Sequence, residues 1–452
     1  MVPVEGPDRL PPKAEIMWPG AASNPFAAPV RASGYNSLSP PLALRRLSSF
    51  TNHTTDLRMP RSNHPLCSLV SVTRVALAAL VAALPASLSA QDSAAPQIIT
   101  QDLTNFYRAL DMARGQDSAS RVRIFRTVYI DAGTPGLSDW TVTRLADLGA
   151  LIPELAKVGW VMPELERAYL APESDSAHVR LMRVAAPLAA AEGARQIAAA
   201  TARLPRFFDG IRARVLVLDT STTFRMAASD GLRRLQALYP EAKLPPVYLL
   251  VGRLTSGGTA TARGMLIGVE MSSRASETPI VELSETERST VVGRSPAEIT
   301  RLIVHEAVHT MQQPTSGGTL LAAVLSEGMA DFMANLAVGE SGIVDSGYTR
   351  YGRANERRLK REFRQALARK EGTERWLYNP GRKDNHGATD LGYFVGFRIC
   401  QAFYERASDK HVALSRLLSG QDPESVLRES RYLDSVPRTQ NGTSLRRRNA
   451  SR

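Results

Sequence analysis

Cysteine is almost missing. Cys67 and Cys400 are the only two in 452 residues, too few for a disulfide framework or a cysteine-based zinc site. Aromatic residues are sparse at 6 %. There is no uninterrupted apolar run of about 20 residues, the length that spans a bilayer. Acidic residues are outnumbered, 44 against 56 Lys plus Arg, for a formal charge of +12. No basic stripe interleaved with aromatics and no nucleic-acid motif accompanies that excess, so a nucleic-acid partner is not expected. The basic charge reads as a solvated surface, with weak attraction to anionic envelope polymers. What remains is an ordinary globular mixture, 43 % apolar and 22 % charged. It excludes a wholly disordered, collagen-like or disulfide-stapled chain.

The first ninety residues read as lying outside the fold. Residues 1–58 are rich in Pro, Ser, Ala and Gly without apolar period, and read as a non-native or disordered extension. Residues 59–90 read as a secretory signal peptide: a basic start through Arg61 and Arg74, the apolar run Val75–Leu84, then Pro85 and the small-residue end Ser87-Leu-Ser-Ala90. The run is too short for a membrane anchor. Cys67 precedes it and no cysteine follows Ala90 closely, which argues against a lipoprotein. The expectation is therefore an exported protein, periplasmic or extracellular, without a transmembrane span in its mature part. Residues 1–90 hold eight basic and four acidic residues, so cleavage at Ala90 would leave +8 of the +12.

Residues 91–240 read as a helical N-terminal region. Helical periods run over 97–113, 141–170 (punctuated by Pro153 and Pro163) and the Ala-rich 178–204. His178 reads as an exposed helix residue. The texture then changes to two β-rich runs, Pro246–Gly252 and Met265–Met271. The Gly-rich Ser256–Gly264 joins them, which suits a hairpin or sheet edge. The Gly-Gly pair lacks the Lys-Ser/Thr ending of a phosphate loop. From 295 the chain is helical again, and 436–452 reads as a disordered basic tail. The fold class expected is α+β, mostly helical, with a small sheet ahead of the helix that opens at 295, the two forming one region over 241–435.

The chemistry sits at residues 295–338. Ser295-Pro296-Ala-Glu298 opens a helix with an N-cap, a first-position proline and a capping box. Inside the helix lies His305-Glu306-Ala-Val-His309. Residues four apart share a helix face, so two imidazoles there can bind one zinc ion. Glu306 is placed to reach a water beside the metal, not the metal itself. The next apolar stretch, 319–338, carries only two charges, Glu327 and Asp331, again four apart. Burying two carboxylates on so apolar a helix is costly without partners. A metal on one and a ligand imidazole on the other would offset that cost.

With these residues the chain resembles the gluzincin metallopeptidases: His305-Glu306-x-x-His309, seventeen intervening residues, then Glu327-Gly-x-Ala-Asp331-Phe. The resemblance implies Zn2+ held by His305, His309 and Glu327, with Asp331 orienting the first histidine. More narrowly, the chain is similar to bacterial predicted zinc-dependent proteases related to gliding-motility lipoproteins. The segments that carry this are Val247–Met271, Leu302–Gln313, Leu325–Phe332 and Asp390–Ile399. Resembling peptidases stabilise the oxyanion with a Tyr or His beyond the third ligand. Tyr393 is the first candidate here and His386 the second; His411 reads as a surface or cap residue.

The resemblance also implies a strand edge that binds extended peptide, for which Gly264, Met265, Ile267 and Val269 are the candidates. The expected activity is hydrolysis of peptide bonds, with Glu306 as general base and a peptide or protein as partner. The alternative is a non-catalytic envelope structural or assembly protein that retains a zinc-binding fold. The sequence leaves cleavage specificity and oligomeric state open.

Overall fold

In the computed structural model, residues 96–434 are described apart from 147, 162–163, 165–175, 262–263, 314–317, 340–346 and 380–387. The expected extension (1–58), the expected signal segment (59–90), His386 and residues 436–452 lie outside the described residues.

The architecture is α+β and mostly helical. β1 (Ile98–Ile99) leads into α1 (Gln101–Met112), so the first residues of the expected 97–113 helix belong to a sheet instead. They pair in parallel with β2 (Val247–Leu250), through Ile98 with Val247 and Ile99 with Tyr248. After α1 come α2 (Ser118–Ile124), a π-helical turn at Phe125–Ile130, α3 (Pro135–Trp140) and a second π-helical turn at Thr141–Leu145. α4 (Leu148–Lys157) keeps Pro153 inside it, where one missing amide is tolerated, so that proline does not end the helix. The long α5 (Ser176–Arg203), α6 (Pro205–Thr220) and α7 (Thr222–Leu238) complete the helical N-terminal part.

The sheet differs from the expected hairpin of two β-rich runs. The Gly-rich connection itself forms a strand, β3 (Gly258–Thr261), antiparallel to β4 (Gly264–Gly268). β4 then lies parallel to β2, giving the order β1-β2-β4-β3. Every residue of β2 and β4 is buried, as expected for strands covered on both faces. A 3₁₀ turn at Val269–Met271 follows.

After the short α8 (Glu285–Thr290) comes α9 (Pro296–His309). Its start is as the sequence dictates. The Ser295 hydroxyl accepts from the Glu298 amide, and the Glu298 carboxylate accepts from the Ser295 amide. α9 packs on β3 and β4, on α7, and on α10 (Leu320–Val338). By length and composition α10 could cross a membrane. In the fold it is a core helix, packed against α7, α9 and α12 (Leu391–Arg406). Gly328 and Gly396 let the α10 and α12 backbones touch: a Cβ on Gly396 would stand 1.9 Å from the Val324 carbonyl. Between them in sequence runs α11 (Gly347–Ala368), bent at Asn355. α13 (Lys410–Ser419) and α14 (Pro423–Ser430) close the described chain.

Candidate metal centre

α9 and α10 cross so that His305, His309 and Glu327 converge, with one potential ligand atom from each lying within 4.8 Å of the others. His305 Nε2 and His309 Nε2 are 3.1 Å apart. Glu327 Oε2 is 3.5 Å from each. Zinc bonds of about 2.0–2.1 Å in a tetrahedron set ligand atoms about 3.3–3.4 Å apart. The three observed separations straddle that value. Both imidazoles turn Nδ1 outward, to Asp331 Oδ1 at 3.1 Å and to Gln312 Oε1 at 2.8 Å. With each Nδ1–H donating there, both Nε2 atoms present lone pairs to one point. Glu327 Oε2 is buried and accepts no hydrogen bond among the described residues. Two facing lone pairs and a buried carboxylate oxygen call for a cation, so the residues present fit zinc.

The supporting groups reach further than the sequence suggested. Asp331 sits against His305 as expected, and is itself held by two residues the sequence did not single out. Arg301, one helical turn before His305, donates to Asp331 Oδ1 at 3.0 Å, and the Tyr348 hydroxyl donates to Oδ2 at 2.9 Å. On the other side Gln312 bridges His309 to the next helix. Its amide donates to the Ser326 carbonyl at 2.8 Å and its oxygen accepts from the Ser326 hydroxyl at 2.8 Å. Gln312 is three residues past His309, a signal the sequence contained.

Glu327 has a partner that no periodicity announced: the Tyr378 hydroxyl donates to its Oε1 at 2.8 Å. Tyr378 adopts φ +55, strained for a bulky residue. A reciprocal clamp fixes it, in which the Asn379 amide donates to Asp390 Oδ1 at 3.0 Å and the Asp390 amide donates to Asn379 Oδ1 at 2.8 Å. The same clamp starts α12 and so fixes Tyr393. The Tyr393 ring stacks on His305, centroids 6.2 Å apart, and on Tyr348 at 5.5 Å. It therefore stands beside the candidate ligands, with Tyr378 as a second phenol nearby. His411 lies elsewhere on the surface, 3.2 Å from Glu241 and stacked on Tyr239.

Glu306 is 1 % exposed, and neither carboxylate oxygen has a hydrogen-bond partner among the described residues. Burial pushes its carboxyl up, and His309 and His305 pull it only part of the way back. Strand β3 runs over it: a Cβ on Gly258 would stand 2.4 Å from Glu306 Oε1. Next along β3, Thr259 accepts a hydrogen bond from Arg144 at 2.8 Å.

This corrects the expected peptide-binding strand. Gly264, Met265 and Ile267 lie in β4, flanked on both sides by β2 and β3, and Val269 lies in the turn beyond. A strand with two neighbours has no edge to offer. The edge beside α9 is Gly258–Thr261.

Without metal, the charges balance through protons. Burial pulls the His305 imidazolium down, but Asp331 and Glu327 outweigh it and push the ring up to about 10. Burial would raise Glu327; His309 and His305 instead hold it below the usual carboxylate range. The signs differ. His305, raised from 6.5, contributes stability that is complete below about 6.5 and lost as pH rises through about 10. Glu327, lowered from 4.5, contributes stability present above about 4.5 and lost at more acidic pH. The melting temperature of metal-free protein should therefore fall between about pH 6.5 and 10. Zinc-loaded protein should fall less, because the metal takes the place of the proton. Thermal melts of both forms across that range check this; a flat metal-free profile would contradict the balance described.

Comparison with known proteins finds a family model that matches part of the chain. Residues 281–420 match the model of a family described as Predicted Zn-dependent protease (DUF2268). The match covers α8 to α13 and includes His305, Glu306, His309, Glu327, Asp331, Tyr378 and Tyr393. Neither the curated proteins nor the solved structures contain a match.

Proposed function

We propose that the chain is an exported zinc metallopeptidase of gluzincin type, related to the group that includes gliding-motility lipoproteins. The observation that carries the catalytic reading is the triangle of His305 Nε2, His309 Nε2 and Glu327 Oε2, with the unpartnered carboxylate of Glu306 in the same buried site. The family description of residues 281–420 supports it. Export rests on the pattern of residues 59–90 alone.

His305, His309 and Glu327 would hold the zinc. When bound, the ion supplies Lewis-acid chemistry, polarising a carbonyl and bringing water near pKa 7. Asp331, fixed by Arg301 and Tyr348, holds His305 in the tautomer that points Nε2 inward. Gln312 does the same for His309. Glu306, raised by burial, takes a proton from the attacking water on its carboxylate and returns it to the leaving amine. Tyr393, with Tyr378 beside it, supplies a phenolic hydrogen bond to the developing oxyanion. Extended peptide would pair with the β3 edge, which lies next to Glu306.

The test is cleavage of a quenched peptide library by purified protein with its zinc measured. Chelator-sensitive turnover that zinc restores is expected. Zinc binding without turnover of any peptide would favour the non-catalytic envelope protein.

The closeness of β3 gives a sharper check. Gly258→Ala places a methyl against the flexible end of Glu306, which can swing aside without unfolding the helix. Zinc content and melting temperature should stay near wild type, while turnover falls at least about tenfold from a misplaced base. Unchanged turnover would mean that the observed Glu306 position is not the working one.

A further inference from the structure

We propose that the exposed face of α11 is a docking surface for anionic phospholipid headgroups at a bilayer surface. Part of the basic excess read from the sequence as a solvated surface lies here. Arg350, Arg353, Arg357, Arg361 and Arg364 are all exposed. The spacing of four and three residues keeps Arg357, Arg361 and Arg364 to one side of the helix beyond the bend at Asn355, and Arg350 and Arg353, three apart, share a side of the part before it. The opposite side, through Gly352, Leu359, Phe363 and Ala366, is buried in the core. The arginines therefore stand on a rigid ridge.

The ion pairs seen for the acids of α11 are with arginines outside this row. Glu356 pairs with Arg398 at 3.0 Å, and Glu362 with Arg375 at 3.1 Å and Arg358 at 3.4 Å. Arg350, Arg357, Arg361 and Arg364 make no ion pair among the described residues. Arg361 donates to the Arg357 carbonyl and Arg364 to the Leu433 carbonyl. Past the helix end Lys370 is exposed, and the exposed Arg369 pairs with Glu371 at 3.6 Å.

The shape favours a flat partner. A single nucleic-acid strand is held in a positively charged groove with aromatic platforms. Here there is a ridge, and the nearby Tyr351 ring is half-buried under Arg358. No large apolar side chain on α11 is exposed, so nothing would insert into the acyl region. Guanidinium groups bind phosphate oxygens through paired N–H bonds, which suits headgroup phosphates. The contact would be electrostatic, reversible and salt-sensitive. The proposal is independent of the peptidase reading.

The test is co-sedimentation of the full chain with vesicles of pure phosphatidylcholine and of phosphatidylcholine mixed with phosphatidylglycerol. Binding in excess of the neutral vesicles is expected only with the anionic lipid, and should disappear as salt rises toward about 0.5 M. Each arginine near such a surface is worth about fivefold, so R357Q/R361Q/R364Q should weaken the anionic binding by about 100-fold at an unchanged melting temperature. If that variant fails to fold, R350Q/R361Q should still cost about 25-fold.

Equal binding to both vesicles would overturn the proposal, as would stripe variants that bind like wild type. So would capture by polyglutamate or single-stranded DNA with none by vesicles. Replacing Arg446, Arg447 and Arg448 by Gln controls for the basic tail. If that change alone removes the binding, the α11 face is not the docking surface.

Discussion

Glu306→Gln is expected to lower peptide turnover by about 10²–10⁴-fold while leaving zinc content unchanged. The substitution keeps the shape of the side chain and removes its ability to take a proton. Glu306 is not one of the three convergent ligand atoms, so no metal bond is lost. Its oxygens are buried and unpartnered, so a neutral amide costs less to bury than the carboxylate it replaces. The melting temperature should therefore hold or rise slightly. Zinc stoichiometry, melting and turnover should be measured on the same two preparations. Equal turnover would remove Glu306 from the mechanism. Zinc lost in the Gln form would make it a ligand and not a base.

Glu327→Ala is expected to abolish zinc binding under conditions that saturate the wild type. Glu327 Oε2 closes the triangle with both imidazoles, and no other carboxylate, His or Cys joins that cluster among the described residues. The loss should exceed the 10–100-fold that removal of an orienting partner such as Asp331 typically costs. The variant also leaves the Tyr378 hydroxyl without its acceptor, takes from the His309 imidazole its paired carboxylate, and leaves His305 with Asp331 as its remaining ion-pair partner. Metal-free Glu327→Ala should consequently lose the stability decline that His305 gives the wild type toward pH 10, at least in part. Zinc measured after dialysis, for Glu327→Ala and Asp331→Ala together, decides the assignment. Retention of zinc by Glu327→Ala would remove it as third ligand.

Local rules read well where the signal is local. The start of α9 follows from Ser295, Pro296 and Glu298, because a capping box uses only side chains and amides within one turn. The pairing of His305 with His309, and of Glu327 with Asp331, follows from helix periodicity. The fold class was legible for the same reason: long helical periods surround one short β-rich zone.

The sheet was not legible, and the strand expected to bind extended peptide proved to lie inside it. Two β-rich runs around a Gly-rich link look alike whether they pair antiparallel as neighbours or parallel with the link inserted as a third strand. Which of these occurs depends on what covers the strands, here α3 and α9. Moving the edge from Gly264–Gly268 to Gly258–Thr261 follows from that arrangement.

From its residues alone, this chain specifies helices with their caps, a mostly helical α+β class, and two pairs of metal-site side chains each on one helix face. The crossing of α9 and α10, which sets three ligand atoms at zinc spacing, was decided only by the tertiary structure. So were the support of Asp331 by Arg301 and Tyr348, the arrival of Tyr378 at Glu327, and the closeness of Gly258 to Glu306. The physical reason is range. Capping and periodicity act within a few residues and leave a repeat in the sequence. Contacts between residues 30 to more than 50 apart, such as Arg301 with Asp331 and Tyr378 with Glu327, come from how packed helices and loops share one core, and leave none.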